Sequence, residues 1–155
     1  KAKQNFSVII DYCQHINNYE QIFEFVDSVR QNKGRLIAVL GAPGKRNYKM
    51  RREIGKVANK YLDHVILTQL DDRGENVYDI CKTIQAEIVD ISSVIIPSRQ
   101  VAIEQAIEIA CKDDIILILG KGHEKFISLE VGHVDYSGDS TIVKEAIGRI
   151  YGEND

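Results

Sequence analysis

Short apolar runs alternate along this chain with longer stretches in which apolar residues return every third or fourth position. Phe6–Ile10, Leu36–Leu40, Val65–Leu67, Val94–Ile96 and Ile115–Leu119 are the short runs, and their length and β-branched content predict strands. Between them, Tyr19, Ile22, Phe23, Val26 and Val29 recur at helical spacing, as do Met50, Ile54, Val57, Ala58 and Tyr61. Val77, Ile80, Cys81 and Ile84 mark a third helix, and Ile103, Ala106, Ile107 and Ala110 a fourth. Lys33-Gly34 is expected to stop the first helix. After Leu119 the pattern changes. Phe126–Leu129 and His133–Tyr136 flank Gly132 as a hairpin or an added edge strand. Ile142, Val143, Ala146, Ile147 and Ile150 then predict a last helix with Asp139 or Ser140 as its N-cap, followed by a frayed tail.

Ile115–Leu119 is apolar on both faces, as a strand buried inside a parallel sheet must be. Strands alternating with helices imply right-handed crossovers. The expected fold class is therefore α/β: a Rossmann-like three-layer domain with a mostly parallel sheet of about six strands, helices on both faces and an antiparallel edge hairpin. Residues 1–155 are expected to form one domain. Asp11, Gly41, the loop from Gln69, Ser98-Arg99 and Gly120 all fall at carboxyl ends of strands. They should share one rim of the sheet, where ligands bind in such folds.

Composition narrows the function classes. Of 155 residues, 44% are hydrophobic and 28% charged, ordinary values for a globular chain. The net charge of −3 argues against nucleic acid as a partner, and no apolar run is long enough for membrane insertion. Lys1-Ala2-Lys3-Gln4 leads directly toward a strand without a secretory signal, and the first residue is not Met, as expected of a piece of a longer protein. Cys13, Cys81 and Cys111 are scattered and odd in number, which fits small buried hydrophobes in a reducing, cytoplasmic setting.

The chemistry concentrates after the strands. Gly41-Ala42-Pro43-Gly44-Lys45-Arg46 looks at first like a phosphate-binding loop, but the first glycine of that motif would fall on Val39, and Arg46 stands where it needs Ser or Thr. Lys45, Arg46, Lys49, Arg51 and Arg52 nevertheless crowd positive charge at a helix start, where backbone N–H groups also attract anions. Leu70-Asp71-Asp72-Arg73-Gly74-Glu75 is a charged loop that could hold the ammonium and carboxylate of an amino acid; its plainer role is a turn, with Asp72 or Asn76 capping the next helix. Gly120-Lys121-Gly122-His123-Glu124 offers a cation, a titratable ring and a carboxylate, and its two glycines would let the backbone approach a ligand. His15 and His123 lie near this rim, whereas His64 and His133 read as surface or structural residues. No residues have metal-ligand spacing, and none is assigned as catalytic.

The order of these motifs resembles the C-terminal domain of the Mur ligases. Val8-Ile9-Ile10-Asp11-Tyr12 is similar to the family's opening Val-Asp-Tyr-Ala-His. Gly41-Ala42-Pro43-Gly44, with Arg51 and Gly55, is similar to its Gly-rich turn and basic helix start. Pro97-Ser98-Arg99 with Ala102-Ile103 resembles Asp-Arg-x-x-Ala-Ile, and Gly120–Glu124 matches Gly-Lys-Gly-His-Glu, the most specific of the set. Asp135-Tyr136-Ser137-Gly138-Asp139 resembles the Asp-rich turn before the last helix. The resemblance is strongest to the member that adds the third residue to a UDP-muramyl peptide in peptidoglycan synthesis.

That resemblance implies ATP-dependent amide formation, with ATP and Mg2+ bound mainly by a central domain and UDP-muramyl-dipeptide by an N-terminal domain, both outside this chain. It implies that this domain closes the nucleotide site, selects a diamino acid and is inactive alone. Arg51, Asp71, Arg73, Gly120 and Glu124 would contact the diamino acid, and Asp11, His15, Lys45 and Arg46 would lie on the nucleotide side. Diaminopimelate-adding members read Asp-Asn-Pro-Arg where this chain has Leu70-Asp71-Asp72-Arg73. Arg73 would favour a distal carboxylate, yet Gly41–Gly44 through Arg51-Arg52 is closer to the lysine-adding branch, so lysine is expected ahead of diaminopimelate. Gln14 occupies the usual His position, with His15 one place later, and Lys45 replaces a common Asp. A stand-alone module binding a small anionic ligand, and a divergent Mur-like ligase using another amino acid or peptide, stay open as alternatives.

Overall fold

The run Leu36–Leu40 is buried at every position, and the architecture explains why. In the computed structural model, which describes residues 4–31 and 33–152, it forms strand β2 at the centre of a five-stranded parallel sheet. The others are β1 (Ser7–Asp11), β3 (His64–Leu67), β4 (Ser92–Ile95) and β5 (Ile115–Leu119), in the spatial order β1-β5-β2-β3-β4. β5 and β2 have a strand on each side and helices above and below, so only apolar side chains suit them. β1 and β4 are the edges. The Ser92-Ser93-Val94-Ile95 sequence of β4 carries polar and half-exposed positions accordingly.

Alternation along the strands divides the core in two. Leu36, Ala38, Leu40, Val65, Leu67, Leu117 and Leu119 point to one face, where they meet Tyr19, Phe23 and Val26 of α1 (Ile16–Val29), Ile54 and Ala58 of α2 (Tyr48–Tyr61), and Ile80, Cys81 and Ile84 of α3 (Val77–Gln85). Ile37, Val39, Ile66, Ile116 and Ile118 point to the other, against α4 (Arg99–Glu108) and α5 (Asp139–Tyr151). Each wholly buried Leu, Ile or Phe contributes about 1.5–3 kcal/mol. The chain steps from β1 through β4 with α1–α3 on one face, then returns through α4 to insert β5 between β1 and β2. With every crossover right-handed, that reversal puts α4 on the opposite face.

The parallel sheet and its helices meet the expectation, with five strands rather than six. The hairpin does not extend the sheet. β6 (Phe126–Ser128) and β7 (His133–Asp135) form a separate two-stranded antiparallel sheet. It is held at the carboxyl rim because Arg73 N donates to Ser128 O (3.2 Å) and Ser128 N donates to Asp71 Oδ1 (2.8 Å). The expected N-cap of α5 also differs: Gly138 occupies it with φ 92°, and the buried Asp139 turns its carboxylate inward. Cys13 and Cys81 are buried as expected, whereas Cys111 is exposed. The tail expected to fray lies, from residue 153, outside the described residues.

The turn after β2 is fixed by close backbone approach. Gly44 N donates to Asp71 O at 2.7 Å, and a Cβ at Gly44 would stand 1.6 Å from Asp72 O. Gly44→Ala should therefore destabilise the fold by at least about 2 kcal/mol in urea unfolding. A loss within about 0.5 kcal/mol would mean that the two loops separate freely.

Candidate functional site

The site begins with the loop after β3, because its backbone and side chains meet those of two other loops. Asp72 folds the loop on itself: its Oδ1 accepts from Gly74 N (2.9 Å) and its Oδ2 from Gln69 Nε2 (2.5 Å). Asn76 then caps α3 by accepting from Asp79 N (3.2 Å). Asp71 is left pointing across the rim, buried, with Oδ1 accepting from both Lys121 Nζ (2.9 Å) and Ser128 N (2.8 Å).

Lys121 is wholly buried, an unusual place for an ammonium group unless it is paired. Besides Asp71 it lies 2.5 Å from Glu124 Oε2, and Phe126 covers it with its ring centroid at 4.8 Å. The Glu124 contact is ionic without being well aligned, so the buried Oε2 has no hydrogen-bond donor. Two carboxylates thus share a single ammonium, and the Gly120 carbonyl stands at the start of the same turn. That carbonyl accepts from Gln14 Nε2 at 3.2 Å. Gly120, at φ 109°, has Leu70 where a side chain would go: a Cβ there would stand 2.7 Å from Leu70 Cδ1. The spaces beside Gly120 and Gly122 are filled by Leu70 and Tyr12, so these glycines serve close packing of the chain on itself.

Arg51 is also buried, one turn into α2. Its Nη1 and Nη2 donate to the two oxygens of Glu75 at 2.7 Å each, Nη2 donates to Pro43 O (3.0 Å), and Tyr48 lies over the guanidinium at 4.5 Å. The Glu75 carboxyl is held down at about 2, chiefly by Arg51. Of the neighbouring cations, Lys45 donates its backbone N–H to Glu75 (2.7 Å) and reaches Glu130 with Nζ (3.2 Å). Lys49 and Arg52 make exposed contacts to Glu53 and Glu87. Arg46 has no hydrogen bond or ion pair among the described residues. It lines a cleft of about 160 Å3 with Gln14, His15, Tyr19, Asn47, Leu70 and Asp71.

The rim therefore brings together most of the residues expected there. Asp71, Gly120 and Glu124 converge on Lys121. Arg51 joins them through Pro43 and Gly44, although its carboxylate-binding face is taken by Glu75. Arg73 is half-buried, with Nη1 3.4 Å from the Asp71 carbonyl. His15 and Arg46 share the cleft with Asp71. Asp11 is exposed at the end of β1; its Oδ1 accepts from Cys13 N (2.8 Å). Lys45 is engaged with acidic residues and His123 stacks on Tyr12 (centroids 6.5 Å apart), so neither forms part of the cleft wall. Among the described residues, no three His, Cys, Asp or Glu side chains gather as a metal site.

Glu75 and the full part played by Lys121 escape sequence reasoning, since nothing in their spacing identifies their partners. The same holds for a second buried pair. Arg99, at the start of α4, donates to Asp139 through Nε (2.9 Å) and Nη2 (2.8 Å), and Nη2 also donates to Leu119 O (3.0 Å). Tyr136 OH donates to the same carboxylate (2.5 Å). Burial opposes the Arg99 charge, but the bonds to Asp139 outweigh it and hold the guanidinium above its ordinary pKa. Burial beside Asp139 pushes the Tyr136 phenol up as well.

Residues 1–122 match the family described as Mur ligase, glutamate ligase domain. The chain is 37% identical over 148 residues to UDP-N-acetylmuramyl-tripeptide synthetase of Borreliella afzelii, covering 93% of this chain and 29% of that protein. It is 38% identical over 144 residues to UDP-N-acetylmuramoyl-L-alanyl-D-glutamate--2,6-diaminopimelate ligase of Aquifex aeolicus, covering 92% and 29% respectively. A solved structure of a UDP-N-acetylmuramoyl-L-alanyl-D-glutamate--2,6-diaminopimelate ligase superposes with a TM-score of 0.83 at 25% identity, over 95% of this chain and 30% of that one. The chain thus spans less than a third of the length of these relatives.

Two outcomes test the rim. Glu75 has a folded pKa of about 2, below its ordinary 4.5, so its pairing stabilises the fold fully above the higher value and the benefit is lost as pH falls through the lower one. The stability gap between wild type and Glu75→Gln should therefore be largest near neutral pH and close toward the bottom of that window, measured by urea unfolding across pH; a constant gap would refute the pairing. Arg99→Met should cost about 3–5 kcal/mol, because it strands the Asp139 carboxylate in the core.

Proposed function

This chain belongs to the Mur ligase family, as its glutamate ligase domain, and from that membership we propose that it is the C-terminal part of an ATP-dependent ligase that adds the third residue to UDP-N-acetylmuramoyl-L-alanyl-D-glutamate in peptidoglycan synthesis. The observation that carries this reading is the cluster at the rim: Asp71 and Glu124 share Lys121, whose ammonium lies 2.9 and 2.5 Å from their carboxylates, and the Gly120 carbonyl lies on the same turn. Such a cluster has room, electrostatically, for one more ammonium group. The distal amine of a diamino acid supplies it. The amino acid's carboxylate is taken by Arg51, which must first release Glu75, and Arg73 stands at the edge of the same loop.

The nucleotide lies toward Asp11, His15, Lys45 and Arg46. Arg46 and the imidazole of His15 suit the phosphates of ATP, because both line one cleft and Arg46 has no internal partner among the described residues. Mg2+ and most of the nucleotide are held by the central domain, and the UDP-sugar by the N-terminal one. ATP supplies the activation of the peptide carboxylate. This chain's residues hold the incoming amine in place and, when the domain closes, keep water from the activated carboxylate.

Lysine is the proposed amino acid ahead of diaminopimelate. Leu70 is buried in the wall beside Gly120 and offers the methylene chain of lysine an apolar contact. Arg73 is the residue that favours the alternative. No helix among the described residues is long and apolar enough to cross a membrane, in keeping with a cytoplasmic enzyme acting on nucleotide-linked substrates.

The test is amino-acid-dependent ATP hydrolysis by the full-length protein with UDP-N-acetylmuramoyl-L-alanyl-D-glutamate, comparing lysine, diaminopimelate and ornithine. Lysine should give the highest kcat/KM. Glu124→Ala should raise the KM for lysine about tenfold or more while leaving that for ATP within about twofold. Equal losses for both substrates would remove Glu124 from the amine site. No amino-acid-dependent turnover at all would favour a binding module instead.

A further inference from the structure

Lys121 stands apart among the cations of the rim, because no part of it reaches solvent. A ligand cannot touch its ammonium group without displacing protein. Around that group stand Asp71 Oδ1 on the loop after β3, Glu124 Oε2 on the turn after β5, and the ring of Phe126 at the start of β6. Asp71 comes from a distant part of the chain, and the other two follow Lys121 within five residues. Asp71 has a second donor in Ser128 N, whereas Glu124 Oε2 has no aligned donor and is restrained by the Lys121 charge. Glu124 N also donates to Lys121 O (2.9 Å), so the turn carries its carboxylate back over the ammonium that precedes it.

We propose that Lys121 is a positioning residue for the amino-acid site: a buried cation that binds no substrate itself and fixes the Asp71 and Glu124 carboxylates at the spacing at which they receive a ligand amine. Two carboxylates brought this close repel each other, and Glu124, on a short turn with its side chain partly open to water, is the one able to swing away. A central ammonium holds both. It matches one of the two negative charges and leaves the other for a ligand ammonium. The Phe126 ring, at 4.8 Å, covers the ammonium on the side that the carboxylates leave open and ties the β6–β7 hairpin to the same point.

The inference rests on the ligase reading, and the experiment separates the two. The full-length protein is assayed for amino-acid-dependent ATP hydrolysis as wild type and as Lys121→Ala, with and without n-propylammonium, which matches the three carbons and the ammonium group that the substitution removes. Lys121→Ala should raise the KM for the amino acid at least about tenfold with the KM for ATP within about twofold. Propylammonium should restore amino-acid use saturably, and neutral n-propanol should not. An unchanged or lowered KM for the amino acid in Lys121→Ala would overturn the proposal. So would equal rescue by propanol, which would make Lys121 a space-filler. If Lys121→Ala does not fold, Phe126→Leu, which keeps the ammonium and strips its cover, should raise the amino-acid KM about threefold with ATP use unaffected; no change there would also overturn it. Wild-type protein without amino-acid-dependent turnover would refute the ligase reading itself.

Discussion

The rim of this domain depends on one aspartate. Asp71 accepts from Lys121 and Ser128 through its side chain, and from Gly44 through its backbone carbonyl. Three connections, after β2, β3 and β5, and the hairpin β6–β7 are thereby held against one another. A parallel sheet by itself brings the ends of its strands to one edge without specifying how the loops beyond that edge meet. Here a buried carboxylate specifies it. Its pairing is geometrically demanding, because a charge withdrawn from water must find both a counter-charge and its full set of hydrogen bonds.

A second buried pair serves the other side of the return crossover. Arg99 begins α4 and Asp139 begins α5, and their guanidinium–carboxylate pairing also engages the carbonyl of Leu119 at the end of β5. The turn carrying Gly120 and Lys121 therefore leaves a strand whose last carbonyl is fixed by Arg99, and it enters a pocket fixed by Asp71. Such buried pairs contribute little net stability relative to well-packed apolar residues. Their value is in defining one arrangement, which an amine-selecting site requires to within a fraction of an ångström.

The outer part of the rim is governed differently. Arg51 and Glu75 neutralise each other, Lys45 is drawn to Glu75 and Glu130, and only Arg46 faces the cleft without a partner among the described residues. A stretch that is strongly basic in sequence presents much less free positive charge once folded. An arginine held bidentately by glutamate binds another carboxylate by exchange, so ligand binding at Arg51 carries the cost of releasing Glu75.

The residues alone determined the layers and the location of the site. Runs such as Ile115–Leu119 read as interior strands, helical spacing identified the covering faces, and placing Asp11, Gly41, Gln69 and Gly120 after strands marked the rim, because periodicity is a local property of the chain. Tertiary structure decided what the charged residues do. It turned Arg51 toward Glu75, Asp139 away from capping and toward Arg99, and Lys121 between Asp71 and Glu124, and it set the hairpin against the rim as a sheet of its own instead of at an edge of the parallel sheet. Those pairings join residues far apart in sequence. A charged side chain takes the partner that burial leaves within reach, and that is known only when the chain has closed.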